Sequence, residues 1–310
     1  MLIIGENIQI ISRVVKNAIN NRDKETLQAL ARKLVDHGAD VVDLNIGRRK
    51  KDGPEVMRWM VDIMHEAIPG VPLSLDTTNA AAIEAGLERC QQLGTEAFVN
   101  SVSAMEDRLA EVLPLVAKYQ PNLIALTMTK AGIPVSAEER VNIALELLLP
   151  PIMETGLPME RLYIDPLILT VKGSQEYAPN AIETIRFLKQ GLDPAPRTVV
   201  GLSNISNQVP HEGRSLINRT YLVMLMAVGL DAAIADPLDE AQNEVIRIIE
   251  ERDDSTPVGR LLLALYDATA AMEELDPSIV DMNDPEQVAI WKTVQILCNK
   301  VIFADSYLRM

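Results

Sequence analysis

The sequence predicts an α/β fold of the (β/α)8 class, a TIM barrel formed by residues 1–310 as a single domain with an inserted helical segment near the C-terminus. Three observations carry this. Eight short apolar, β-branched runs recur along the chain at intervals of roughly 25 to 40 residues. Longer amphipathic stretches separate them. The first run is not followed by a Gly-rich dinucleotide fingerprint, which argues against an open, doubly wound sheet.

The runs expected as strands are Leu2–Ile8, Val41–Gly47, Pro72–Thr78, Ala97–Ser103, Leu123–Thr129, Leu162–Leu167, Thr198–Asn204 and Ala232–Asp236. Strand followed by helix, repeated, gives right-handed β-α-β units and a parallel sheet. Eight such units in about 250 residues match the length of a closed barrel. Between the runs, Leu27, Leu30, Ala31 and Leu34 follow helical spacing, as do Leu109, Val112, Leu113 and Val116. Ser103–Glu106 and Ser136–Glu139 have capping-box spacing, and Gly38 stands where a helix would end in a left-handed turn. The Met-containing stretch Tyr221–Val228 reads as a packed helix.

The rhythm changes after Asp236. A helix is expected from Leu238 to about Glu251, then a polar break, an amphipathic stretch Arg260–Leu275, a Pro- and Asp-rich break, and a last apolar helix Val288–Phe303. Residues from about 252 to 287 read as an insertion within the last-helix region, with no separate core of their own.

A formal net charge of -15 repels phosphate backbones and speaks against nucleic acid as a partner. The two cysteines, Cys90 and Cys298, make neither a disulfide framework nor a zinc pattern, and a reducing, cytoplasmic setting fits them best. The first residues lack a basic n-region and a long apolar core, so no signal peptide is expected. No apolar run approaches the roughly 18 residues of a membrane span.

The informative pattern lies at the strand ends. Run after run goes apolar and then finishes on a carboxylate or carboxamide: Glu6 and Asn7, Asp43 and Asn45, Asp76, Asn100, Asp165, Asn204 and Asp236. One such residue is explained as a cap for the next helix. Seven strands sharing the habit are not, because strands disfavour these residue types. In a β/α barrel all these positions converge on one mouth, where active sites sit. The inventory is rich in Asp and Asn and poor in His, Cys and Lys. His37, His65 and His211 fall in a helix end, a helix and a loop, without ligand spacing, so no metal site is expected. No nucleophile elbow or Ser-His-Asp order is present. Carboxylates and carboxamides suit a planar, nitrogen-rich ring. A 2-amino-4-oxo-pyrimidine offers an amino group and a ring N–H side by side, and one carboxylate accepts both.

At this point longer stretches carry a resemblance. MLIIGE, VVDLNIG, LDTTNAAAIEAGL, LTMTKAGIP, GLPMERLYIDPLIL, DPAPRTVVGLSNIS, LINRT and GLDAAIAD together resemble the methyltetrahydrofolate:corrinoid/iron-sulfur protein methyltransferases. More broadly they resemble the pterin-binding methyltransferases that include the folate domain of cobalamin-dependent methionine synthase. The resemblance covers Met1 to about Ala241 and resumes near Gln295. It implies a barrel homodimer that passes a methyl group between 5-methyltetrahydrofolate and the cobalt of a corrinoid (cobalamin) protein. It implies that Asp76, Asn100 and Asp165 hold the pterin, with Asp43, Asn45, Glu6 and Asp236 in the same mouth. It implies that Asn204 hydrogen-bonds the methyl-bearing nitrogen. The loop after strand 7 is slightly longer than in the family; Arg214 is the counterpart of the family's arginine against p-aminobenzoate, with Asn207 and Gln208 nearby. The segment 252–287 has no family counterpart. The basic run Arg48–Lys51 reads as a solvated loop, with attraction of an acidic folate tail or partner as the functional alternative. Two rival readings share the ring site: a dihydropteroate synthase, which would need a basic cluster near strands 7 and 8, and a non-catalytic folate-binding subunit.

Overall fold

The structure is a computed structural model and describes residues 1–308. Eight parallel strands close into a barrel in chain order: β1 (Leu2–Gly5), β2 (Val41–Asn45), β3 (Leu73–Asp76), β4 (Ala97–Ser103), β5 (Asn122–Leu126), β6 (Leu162–Asp165), β7 (Arg197–Gly201) and β8 (Ala232–Ala235). Leu2 pairs with Ala232 to seal β1 against β8. All eight expected strands are present. Seven of them stop one to three residues earlier than the apolar pattern suggests. The reason is visible at their ends, where side chains replace the ladder with tight turns. Asn45 Oδ1 accepts from Gly47 N at 3.1 Å, Asp165 Oδ1 from Leu167 N at 2.7 Å, and Asp236 Oδ1 from Leu238 N at 2.9 Å.

The barrel interior is one apolar layer of Ile4, Val41, Phe98, Ile124, Tyr163, Val199 and Ala232. Phe98 and Tyr163 meet there with ring centroids 5.4 Å apart. Arg197 closes the lower end by donating to the Tyr163 hydroxyl at 2.7 Å. Outside the sheet, two further clusters join strands to helices, one around β2–β6 and one under the helices of the C-terminal half. A close approach of helix to strand and neighbouring helix is at Gly86, in the Ala80–Leu93 helix. A Cβ there would lie 2.8 Å from both Leu75 Cδ1 and Met57 Cγ.

Ser136 caps its helix as expected, accepting from Glu139 N at 3.2 Å. Gly38 does take a left-handed conformation, φ +95°. Ser103 does not cap the next helix. It is the last residue of β4, paired with Leu126, and that helix starts at Glu106 behind Met105. His211, expected in a loop, is the first residue of the His211–Ala227 helix.

In the C-terminal region the helices are Glu240–Glu251, Pro257–Ala270 and Pro285–Leu297. The last ends six residues before the expected Phe303, because Gln175 captures the chain beyond it through Asn299 Oδ1, the Val301 carbonyl and Phe303 N. The Pro257–Ala270 helix buries Leu261, Leu262 and Leu265 in the same cluster as the His211–Ala227 helix. Residues 252–287 therefore add to the barrel's outer core, with Leu275 and Val280 in the same cluster. No helix among the described residues is long and apolar enough to cross a membrane.

Candidate active site at the barrel mouth

Strand alternation decides which side chains face inward. Ile4, Val41, Phe98, Ile124 and Tyr163 point into the barrel, so the residues two positions on point there too, nearer the mouth. Those residues are Glu6, Asp43, Asn100, Leu126 and Asp165. Asn45 stands two further along β2. Register then lines them up across neighbouring strands: Asn45 is paired with Asp76, and Asp76 with Asn100.

Hydrogen bonds tie this layer together. Asn45 Nδ2 donates to Asp76 Oδ2. Asp43 Oδ1 accepts from Ser74 Oγ at 2.5 Å and from Asn100 Nδ2 at 3.2 Å. Ser203 Oγ donates to Glu6 Oε1, and Asn7 Nδ2 to Asp236 Oδ1 at 2.8 Å. Asp43 and Asp165 are buried, and Glu6, Asn45, Asp76, Asn100 and Asp236 are half-buried. The structure therefore brings together every strand-end residue expected at the mouth from β1 to β6, with Asp236 from β8.

The electrostatics are unusual for so small a space. Burial pushes Glu6 up to about 7, with the Ser203 hydrogen bond acting against it and Asp236 adding to it. Burial raises Asp76 to about 6, opposed by Asn45. Burial raises Asp165 to about 7, opposed by the Leu167 N–H and by Arg140. Burial, then the Asp76 charge, holds Asp43 well above the ordinary carboxylate range. Among the described residues, Arg140 is the one cation acting on any of these four carboxyls. The site thus has a surplus of acceptors and a shortage of donors. A ring bringing adjacent N–H groups would return to the ionised carboxylates the hydrogen bonds that burial removed.

A cavity of about 350 Å3 opens beside Asp76 and Asn100, walled by Leu126, Met128, Ser101 and Arg108. Arg108 is a clamp that sequence reasoning missed. Its guanidinium donates to the carbonyls of Ser101 at 2.8 Å, Thr78 at 3.1 Å and Thr77 at 3.2 Å, pinning the loops after β3 and β4. Arg140 was also missed; it is wholly buried and donates to the Pro134 carbonyl at 2.9 Å. A single arginine in a helix carries no sequence signal. Ser74 was legible, since it lies two residues before Asp76 and so shares its face.

Asn204 is placed differently from the strand-end residue expected. β7 ends at Gly201, and Asn204 sits in a short 3-10 turn, Leu202–Ser206, on the exposed rim. Its side-chain amide folds back over the strand end. A Cβ at Gly201 would lie 2.8 Å from Asn204 Nδ2. Asn207, Gln208 and Arg214 are exposed on the same rim. Arg214 Nε donates to the Val209 carbonyl at 2.7 Å, and Lys172 Nζ to the Gln208 carbonyl at 3.3 Å. Among the described residues no group of three His, Cys, Asp or Glu is arranged to hold a metal ion.

Comparison with known proteins gives the family and the fold. A family model described as "Pterin binding enzyme" matches residues 12–236. The methylcorrinoid:tetrahydrofolate methyltransferase of Eubacterium limosum is 30% identical over 239 residues, covering 76% of this chain and 85% of that protein. The methionine synthase of Mycobacterium tuberculosis is 27% identical over 296 residues, covering 89% of this chain; the chain spans only 24% of that protein. Among solved structures, a dihydropteroate synthase from Anaplasma phagocytophilum with bound 6-hydroxymethylpterin-monophosphate superposes with a TM-score of 0.57 at 19% identity, over 82% of this chain and 99% of that one. At that identity the likeness is one of fold alone.

Proposed function

The chain belongs to the family of pterin binding enzymes, and we propose that it is a methyltransferase moving a methyl group between 5-methyltetrahydrofolate and the cobalt of a corrinoid protein. The observation that carries this reading is the division of the mouth into a buried, acceptor-rich ring of carboxyls and an exposed amide, Asn204, on its rim. The E. limosum relative supports the chemistry by its name and its coverage.

In this reading Asp76, Asn100 and Asp165 receive the pyrimidine edge of the pterin. Asp43, Asn45, Glu6 and Asp236 complete the mouth and hold its side chains in place. Asn207, Gln208 and Arg214 lie toward the p-aminobenzoate and glutamate end. The corrinoid, carried by a partner protein, supplies reduced cobalt as the nucleophile, so no nucleophilic side chain is required here. A methyl on a tertiary amine leaves badly, because the departing nitrogen must take up an electron pair. Asn204 offers a hydrogen bond that strengthens as charge develops on that nitrogen, which stabilises the transition state more than the bound substrate. An amide is not a strong acid, so Asn204 orients or relays and the proton comes from water. The same reading gives a cytoplasmic homodimer.

The dihydropteroate synthase alternative rests on fold likeness, and the segments just after β7 and β8 carry Asn204 and Asp236 where it would need a basic cluster. Stopped-flow mixing with 5-methyltetrahydrofolate and reduced cobalamin separates the readings. The expected result is methyl transfer by the wild type, slowed about 100- to 1,000-fold in Asn204→Ala with pterin affinity unchanged. Tight pterin binding without transfer would instead support a non-catalytic subunit, and a full rate in Asn204→Ala would remove Asn204 from the chemistry.

A further inference from the structure

Asn204 has no hydrogen-bond partner of its own for its side-chain amide among the described residues, so its aim depends on the turn that bears it. Leu202 and Ile205 pack that turn into the outer core, and one side-chain hydrogen bond aims its polar residues at the sheet. Ser203 Oγ donates to Glu6 Oε1 across 197 residues of sequence. No other side-chain hydrogen bond joins Leu202–Ser206 to a strand or strand end among the described residues; the remaining one, Ser206 Oγ to the Ser203 carbonyl at 3.4 Å, is internal. At the far side of the turn, Thr170 Oγ1 holds the Asn207 carbonyl from the loop after β6. Release of the Ser203 tie therefore leaves Ser203 and the exposed Asn204 without a side-chain anchor, while Leu202 and Ile205 stay packed in the outer core.

We propose that Glu6 is a positioning residue for Asn204, acting through the Ser203 hydroxyl to fix the Leu202–Ser206 turn against the end of β1. This deepens the methyltransferase reading and rests on it. Three features make the tie a strong one. Glu6 faces two other carboxyls, Asp236 and Asp43, and no cation, so the Ser203 hydroxyl is the donor that compensates it. Both partners are half-buried, and once Glu6 is ionised a hydrogen bond to its carboxylate is worth about twice a neutral one. Gly201 leaves just enough room for the Asn204 amide, so a small shift of the turn displaces the amide against the strand end. Misplacement of a reacting group by about 1 Å costs on the order of 100-fold in rate.

The test compares Ser203→Ala, Glu6→Ala, Glu6→Gln and the Ser203→Ala/Glu6→Ala double variant in single-turnover methyl transfer from 5-methyltetrahydrofolate to reduced cobalamin, with pterin affinity measured separately by titration calorimetry. Both alanine variants are expected to lower the transfer rate about 10- to 100-fold with pterin affinity within threefold of wild type. The double variant should be no slower than the singles, because both remove the same tie. Glu6→Gln keeps an acceptor for Ser203 and should recover most of the rate. Additive losses in the double variant, or a Glu6→Ala variant that loses pterin affinity while Ser203→Ala does not, would overturn the proposal and make Glu6 a direct pterin ligand. If the wild type moves no methyl at all, the methyltransferase reading itself fails. The tie is then judged by a crystal structure of Ser203→Ala, where an unmoved Leu202–Ser206 turn contradicts it.

Discussion

Replacement of Asp165 by asparagine should stabilise the free protein at alkaline pH and weaken its hold on the pterin. Asp165 is buried, its Oδ1 accepts from Leu167 N at 2.7 Å, and Leu167 has a left-handed φ of 64° that this bond helps to hold. Asparagine keeps that acceptor and removes the charge. Burial raises the Asp165 pKa from 3.8 to about 7. The folded protein therefore binds this proton more tightly than the unfolded chain does. Stability is retained below about pH 4 and declines as pH rises through the window to about 7. At roughly 1.36 kcal/mol per unit the full penalty is about 4 kcal/mol, and relaxation of the site brings a realistic figure to about 2 kcal/mol. Unfolding entropy near 2.1 cal/mol/K per residue turns about 2 kcal/mol into a shift of about 3 °C for a chain of this size. Thermal denaturation of both proteins at pH 5 and pH 8.5 reads this directly. Asp165→Asn should melt only about 1 °C higher at pH 5, where roughly a third of the penalty is present, and about 3 °C higher at pH 8.5. Equal differences at both pH values, or a less stable variant at pH 8.5, would refute the argument that burial makes the ionised Asp165 costly to the folded protein.

Two other expectations follow from single contacts. Asp76→Ala removes a carboxylate set between Asn45 and Asn100 and should weaken pterin binding about 10- to 100-fold, the worth of a charged hydrogen bond, in a calorimetric titration; an unchanged affinity would remove Asp76 from the ring site. Gly86→Ala forces a methyl within 2.8 Å of Leu75 and Met57 and should cost about 1–3 kcal/mol, lowering the melting temperature without altering pterin affinity, whereas an unchanged melting temperature would mean that the interface opens freely.

Much of this architecture was legible before any coordinates. Strand runs such as VVDLN and LSLD state both their apolar faces and their polar ends, and a closed barrel then sends those ends to one place. Strand length was not legible, because Asn45, Asp165 and Asp236 spend their side chains on backbone turns that end the ladder while the apolar pattern continues. Ser103 shows the converse: its spacing to Glu106 fits a cap, but pairing with Leu126 keeps it in β4. The rim position of Asn204 was hidden for a similar reason, since a 3-10 turn after Gly201 has no periodicity to read. Ser203 and Arg108 matter through long-range partners, Glu6 and the carbonyls of three mouth residues, and pairings of that kind exist only once the barrel is closed.

A crystal structure of the protein soaked with 5-methyltetrahydrofolate would examine the shared-ring idea most directly. The pterin is expected with its amino and ring N–H groups on Asp76, Asn100 and Asp165, and with its methyl-bearing nitrogen facing Asn204. A pterin bound elsewhere, or those three side chains turned away from it, would contradict the account.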